Sequence, residues 1–167
     1  MLKPTLPKSY KSSQEVAAPK VSNGDAPFWE TKTLAEMNFE EWESLCDGCG
    51  LCCLNKLQDE DTDEIAYTCV VCSYSDVTTG RCKDYDNRNT NVPTCVQLTA
   101  ELASEFHWLP TTCAYRLLAA GAALPSWHPL ITGDPKSVQQ AKVGLTAIKV
   151  VVDNGQLDYE DYLIDAL

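Results

Sequence analysis

Any chemistry in this chain most plainly belongs to its thiols, four of which fall within eight residues: Cys46-Asp47-Gly48-Cys49-Gly50-Leu51-Cys52-Cys53. Deprotonated sulfur is both a soft metal ligand and a nucleophile. Two glycines inside the run let the backbone curl and bring successive sulfurs toward one point. Cys46, Cys49 and Cys52 have the C-x2-C-x2-C spacing that sets three thiolates on three corners of an iron–sulfur cubane, with a fourth supplied from afar. Five more cysteines follow, at Cys69, Cys72, Cys82, Cys95 and Cys113, and none precedes Cys46. Zinc is the rival metal. Structural zinc sites pair one C-x2-C with a second at a distance, and Cys69-x2-Cys72 is such a pair.

Cys52 and Cys53 are adjacent, so their side chains are not expected to face one point with ease. Two sites sharing this loop would resolve that, as would one bound cysteine beside a buried or redox-active neighbour. Eight ligands, Cys46, Cys49, Cys52, Cys53, Cys72, Cys82, Cys95 and Cys113, fill two four-thiolate sites and leave Cys69 over. Cys69 lies in the apolar 66–71 run, where a small thiol simply packs. Lys56, Arg81, Lys83 and Arg116 each stand within three residues of a cysteine and can offset thiolate charge. Cys113 falls at the first turn of an expected helix, where the dipole favours a thiolate.

The rest of the chain bounds what these sulfurs serve. One hundred and sixty-seven residues suit one domain with a modest core. The net charge of −11 argues against nucleic-acid binding, which needs a basic face. The odd cysteine count and the crowding near residue 50 fit a disulfide framework poorly. The opening Met1-Leu2-Lys3-Pro4-Thr5-Leu6-Pro7 lacks the apolar core of a secretory signal, which favours a reducing, cytoplasmic setting. The longest apolar run, Leu117 to Leu124, falls short of the ~18 residues of a membrane span.

The elements that must position the thiols are short. Residues 1–25, rich in Pro, Lys and Ser, read as a flexible tail, and 26–167 as the cysteine-cluster domain. Thr33 with Glu36, and Asn38 with Glu41, match capping boxes, predicting helices near 33–37 and 39–45. Trp42 and Leu45 then form an apolar edge beside the cysteine loop. The carboxylates of 59–64 lack the glycine turn and spacing of a calcium loop and read as a solvated acidic loop. Ile65 to Val71 reads as a strand leading to Cys72. The segment 73–93 should be irregular and held by its cysteines. Helices are expected over 99–106 and 112–120, the second ending at Gly121. A stiff loop covers 125–129, a strand 143–152, a turn 153–155 and a closing helix 159–167. The fold class is an α-rich α+β domain, with a few short strands and an irregular, metal-stapled middle.

Cys46-x2-Cys49-Gly50-x-Cys52-Cys53, then Cys82-x2-Tyr85-x2-Arg88 leading to Pro93-Thr94-Cys95, resembles the CxxCxxCC cysteine-cluster family, whose suggested role is chelation of zinc or iron. Further stretches are similar to its bacterial YcgN-type branch. They include Phe28-Trp29, Trp42-Glu43-Ser44-Leu45, Trp108-Leu109-Pro110, Thr112 to Leu118 and Trp127-His128-Pro129. The likeness covers about residues 27 to 165. It implies a metal centre in a cytoplasmic bacterial setting and no particular reaction. Tyr85 and Arg88 fit the second half of the motif, although six residues separate Arg88 from Cys95.

There are two histidines, His107 and His128. His128, between Trp127 and Pro129, reads first as a loop histidine bonded to backbone, second as a ligand or base. Tyr85, Arg88, Arg116 and His128 are therefore placed around the ligands rather than among them. Phosphate loops, nucleophile elbows and zinc-protease motifs do not occur in the sequence. Three function classes remain. In the first, an iron–sulfur cluster ([4Fe–4S] favoured) or iron serves electron transfer, redox sensing or metal handling. In the second, zinc staples a protein-interaction module. In the third, the centre belongs to an enzyme with His128, Arg88 or Cys53 near the chemistry.

Overall fold

The fold was obtained as a computed structural model, which describes residues 26–165; the expected tail over 1–25 lies outside them. Two short helices, α1 (Phe28–Thr31) and α2 (Phe39–Ser44), flank a single 3-10 turn at Leu34–Glu36. Both capping boxes form. Glu36 Oε2 accepts from Thr33 N at 2.8 Å, and Asn38 and Glu41 exchange bonds of 2.9 Å. The first box starts only a 3-10 turn, because three residues cannot repay helix nucleation.

Past the cysteine loop, β1 (Leu54–Gln58) and β2 (Ile65–Val71) form an antiparallel hairpin. The acidic residues 59–64 make its turn, with Asp59 Oδ1 accepting from Asp61 and Thr62 N–H at 2.9 and 2.8 Å. β2 is the spine of a four-stranded mixed sheet. It also pairs in parallel with β3 (Val151–Val152) and antiparallel with β4 (Leu163–Ile164). Four further helices, α3 (Arg88–Asn91), α4 (Ala114–Ala119), α5 (Pro129–Thr132) and α6 (Ser137–Gln140), lie in the intervening chain. The architecture is a small α+β arrangement, and no helix among the described residues exceeds six residues.

Three sequence expectations need correction. Helix over 99–106 shrinks to a 3-10 turn at Leu102–Ser104, with Ala103 its buried residue. The strand over 143–152 survives only as β3, because Gly144 adopts φ 91°, ψ −172° and Leu145 forms a 3-10 turn. Leu145 N–H is given to Cys49 O at 2.8 Å rather than to a neighbouring strand. Over 159–167, the described part is a 3-10 turn at Tyr159–Tyr162 followed by β4, since β2 offers it ladder partners. In each case tertiary contact overrides local propensity.

The buried apolar side chains form two clusters. Leu45, Ala103, Ala114, Tyr115, Leu124 and Leu130 make the first, against which Trp42 packs. Leu51, Leu54, Val71 and Leu145 make the second, with Cys49 and Cys53 against it. The cysteine loop runs between them, and its backbone is tightly enclosed. Gly50 has φ +73°, and a Cβ there would lie 2.5 Å from Gly80 O and 2.6 Å from Leu145 Cδ1. At Gly144 a Cβ would lie 2.6 Å from Cys49 O, with the Cys49 Cα only slightly farther. Both contacts are to backbone or to a core side chain, so neither can yield cheaply.

Gly133 provides a control, because its φ is +70° and a Cβ there would meet nothing within 4 Å. Gly133→Ala should cost roughly 1–2 kcal/mol from the left-handed backbone alone. Gly144→Ala should cost more, upward of ~2 kcal/mol, because the steric conflict with Cys49 is added. Urea unfolding of both variants checks the difference, and equal losses would mean that the Gly144–Cys49 approach is not a real constraint.

Candidate metal centre

Leu45 ends α2 inside the first core, wholly buried, and delivers the chain into Cys46. Its carbonyl accepts from His128 Nε2 at 3.0 Å, while His128 Nδ1 accepts from Leu130 N–H at 3.1 Å. The second bond requires an unprotonated Nδ1, so the ring is neutral with its proton on Nε2. Burial of the ring pushes its pKa down, outweighing the Leu45 carbonyl and the charge of Asp47. His128 is thus fully enclosed and bonded to backbone at both nitrogens.

The loop then turns at Gly48 and Gly50, and a 3-10 turn at Leu51–Cys53 leads into β1. The amide of Gly48 favours the thiolate of Cys46, and that of Leu51 the thiolate of Cys49. Asp84 does the same for Cys82, and Tyr115 and Arg116 do so for Cys113, which caps α4. Amides aimed at sulfur favour thiolate over thiol. Burial opposes them and raises Cys49, Cys82, Cys95 and Cys113. Cys46, although exposed at the surface, is pushed up to about 11 by desolvation in the crowded loop and then by Asp47. The thiolate expected at the head of α4 is therefore not favoured by the protein alone. Asp47 adds to the upward push on Cys46, Cys49 and Cys113. A cation in their midst would remove that penalty, since metal binding replaces the proton.

By the charge each thiol exerts on the others, the sulfurs divide into two groups. Cys46 feels Cys113, Cys49 feels Cys46, and Cys52 feels both Cys46 and Cys49. Cys82 and Cys95 both feel Cys53 and Cys72. The backbone explains the second group: Cys72 N–H donates to Cys53 O at 3.0 Å across the β1–β2 hairpin, and Cys82 bridges to Ser75. Cys95 is held by its own N–H to Val92 O at 2.8 Å and by Asn89 Nδ2 on its carbonyl at 2.7 Å. Cys69 is half-buried on β2 and is absent from the pairs just named.

Cys52 and Cys53 join the groups. Within the 3-10 turn each of these two thiols acts on the protonation of the other. Cys52 is raised by its neighbour Cys53. Cys53 is lowered, first by Cys52 and then by the Ser75 hydroxyl and Lys56. Lys56 Nζ bonds Leu54 O at 2.6 Å and Cys52 O at 3.1 Å, and lies 4.9 Å from the Trp108 ring centre. Its own pKa is lowered by burial.

Tyr85 and Arg88 connect the two groups from outside. The Arg88 guanidinium stacks 3.9 Å over the Tyr85 ring and bonds Tyr85 O at 2.8 Å. Arg88 favours thiolate at Cys82 and Cys95, and Tyr85 reaches Glu43 and Cys46. Arg116 bonds His107 O at 2.9 Å and also eases Cys113. Sequence reasoning passed over Asp47 and Ser75. A lone acid in a glycine loop reads as solvated, and a serine closing a turn in a turn-rich segment carries no spacing signal.

Among the described residues, no three Cys, His, Asp or Glu side chains stand in an arrangement that could hold a metal ion without moving. A bound metal would require side-chain rotation within the two groups. The donor set nonetheless fits zinc or iron: eight thiols, amides already directed at sulfur, and an Asp47 Oδ2 that is buried with no hydrogen-bond partner. No helix among the described residues is long and apolar enough to cross a membrane.

Residues 45–114 match the CxxCxxCC family, described as "Putative zinc- or iron-chelating domain". The chain is 56% identical over 142 residues to a UPF0260 protein of Sinorhizobium fredii, covering 84% of this chain and 92% of the relative. A UPF0260 protein of Rhizorhabdus wittichii is 56% identical over 142 residues, covering 85% and 97%. One from Brucella canis is 52% identical over 139 residues, covering 83% and 91%. No solved structure matches.

The buried neutral His128 gives the site a pH signature. The unfolded ring has an ordinary pKa near 6.5 and the folded ring a lower one. The unfolded state therefore binds more protons once pH falls below that value, and stability is lost toward the folded pKa at up to ~1.4 kcal/mol per pH unit. Above the unfolded pKa this contribution is fully present. Acid effects on the thiols are common to wild type and His128→Asn, so their difference isolates the ring. The variant should be less stable near neutrality, with a shallower fall below pH ~6.5. Parallel stability curves from pH 7 to 5 would contradict a neutral His128.

Proposed function

We propose that this chain, which belongs to the UPF0260 family, is a cysteine-ligated metal protein carrying two adjoining centres, with iron–sulfur or iron as the favoured metal. The observation behind this reading is the pair of sulfur groups meeting at Cys52–Cys53, with amides already aimed at several sulfurs. The first centre would draw on Cys46, Cys49 and Cys113 with Cys52 at its border. The second would draw on Cys53, Cys72, Cys82 and Cys95. Tyr85, Arg88, Arg116 and His128 would orient and balance the ligands rather than bind metal. Such centres join distant chain segments, so metal binding would also staple the irregular middle of a single domain spanning 26–167.

Adjoining thiolate centres suit electron transfer, redox sensing or metal handling in a reducing, cytoplasmic setting. Amides donating from two residues beyond Cys46, Cys49 and Cys82 serve zinc equally well. A zinc-stapled interaction module is therefore the second reading. Anaerobic purification followed by elemental analysis and a visible spectrum separates the two. Iron with acid-labile sulfide and broad absorption near ~400 nm is the expected result. Colourless protein with stoichiometric zinc would favour the second.

Cys49→Ser should lose the metal of the first centre and destabilise the domain, whereas Cys69→Ser should keep both metal and stability. Elemental analysis of the two variants checks this, and full metal content in Cys49→Ser would overturn the assignment.

A further inference from the structure

An open groove of about 830 Å³ runs along the first core, between α1, the 3-10 turn at Leu34–Glu36, the end of α4 and Ile131 of α5. None of the described cysteines lines it, so it is separate from the sulfur groups. Trp29, Leu34, Leu118 and Leu124 supply its apolar surface, and all four belong to the first core or pack against it. Ile131 adds a large apolar side chain that is 49% exposed. Apolar surface gathered into one concave patch marks an interaction site, whereas a single exposed apolar residue does not.

The charged part of the lining is acidic in effect. Lys32 is held by Glu41 at 2.6 Å, while Glu30 and Glu101, both exposed, pair with no cation among the described residues. A fitting occupant is therefore apolar and carries a positive charge. Residues 1–25 have that chemistry, with Lys3, Lys8, Lys11 and Lys20 against Glu15 and Asp25. Within them Val16-Ala17-Ala18-Pro19-Lys20-Val21 is small and apolar and bears one lysine. The tether is short. Val21 stands five residues before Ala26, where the described chain begins, and Trp29 already lines the groove. Five residues reach at most ~18 Å, and Asn23-Gly24 among them is a dipeptide suited to reversing the chain. A segment tethered this closely needs little intrinsic affinity, because the linker holds it at a high effective concentration.

We propose that residues 16–21 seat in this groove as an intramolecular strap. Val16 and Val21 cover the apolar surface around Leu118 and Ile131, and Lys20 lies beside Glu30 and Glu101. The strap covers the end of α4, the helix that Cys113 caps, and ties the N-terminal segment to the core that contains Leu45. It does not depend on the metal reading above.

Limited trypsin digestion of the full chain tests the strap, because cleavage tracks the population in which a bond is open. The Lys8–Ser9 and Lys11–Ser12 bonds lie beyond the strap and serve as internal controls. The Lys20–Val21 bond should be cut ~10-fold or more slower than either control. Ile131→Asn, at a half-exposed position, should bring its rate to within about twofold of theirs. Glu30→Gln combined with Glu101→Gln should speed the Lys20–Val21 cut about twofold or more, as loss of a surface ion pair predicts, and an unchanged rate would overturn the placement of Lys20. Equal cutting of all three bonds in wild type would overturn the strap. So would protection at Lys20 that survives both Ile131→Asn and a second groove variant, Ala122→Gln, which also decides the matter should Ile131→Asn fail to fold. Protection that disappears on dilution would give the groove to the tail of a second copy and overturn the intramolecular strap.

Discussion

The carbonyl of Cys49 is the point on which the arrangement depends. It accepts Leu145 N–H at 2.8 Å and lies so close to Gly144 that a Cβ there would approach it to 2.6 Å. A segment almost a hundred residues away thereby clamps the cysteine loop from one side, while Gly80 closes on Gly48 and Cys49 from another. These are backbone contacts, so the loop's shape is set before any ligand is considered. The loop's two ends are tied as firmly, Leu45 O by His128 and Cys53 O by the amide of Cys72. What remains adjustable is the rotation of the thiols themselves. That combination, a rigid frame with side chains not yet convergent, is what a centre assembled around an incoming metal requires.

Electrostatics gives the same result from the opposite direction. The chain carries a net charge of −11, and burial raises most of the thiols rather than ionising them. Amides, Lys56 and Arg88 work against that burial, with the balance differing between sites. At Cys53 the favourable terms win, because Cys52, Ser75 and Lys56 all act on one sulfur. At Cys46 and Cys49 they lose, and Asp47 deepens the deficit. A bound cation would shift the balance most where the protein falls short, at the sulfurs nearest the clamped loop.

Local signals in the sequence were read correctly where local physics decides the outcome. The capping box at Asn38 and Glu41 sits on α2, the β-branched run gives β2, and the helix ending before Gly121 is α4. The cysteine spacing also identified the loop, and His128 between Trp127 and Pro129 is bonded to backbone as expected. The failures lie where a distant segment takes the hydrogen bonds. Gly144 and Leu145 sit in an apolar, β-branched stretch, yet their backbone is committed to Cys49 instead of a strand. Leu163 and Ile164 follow a helical pattern, yet Thr68 and Tyr67 draw them into the sheet. Asp47 gave no sequence signal because its burial arises from the fold around it, not from its neighbours in the chain.

The doubled cysteine shows how that frame divides the sulfurs. Consecutive residues in an extended strand would point to opposite faces and hold their thiols apart. Here Leu51–Cys53 forms a 3-10 turn entered through the left-handed Gly50, so the two thiols act on each other while each also borders a different group. Gly50 cannot be replaced by a residue with a Cβ without striking Gly80 O and Leu145. The same glycine that closes the loop against its clamp therefore sets the turn that brings Cys52 and Cys53 together. The adjacency of the two sulfur groups at Cys52 and Cys53 is thus a consequence of backbone packing. The chemistry available at the pair is inherited from the clamp on Cys49.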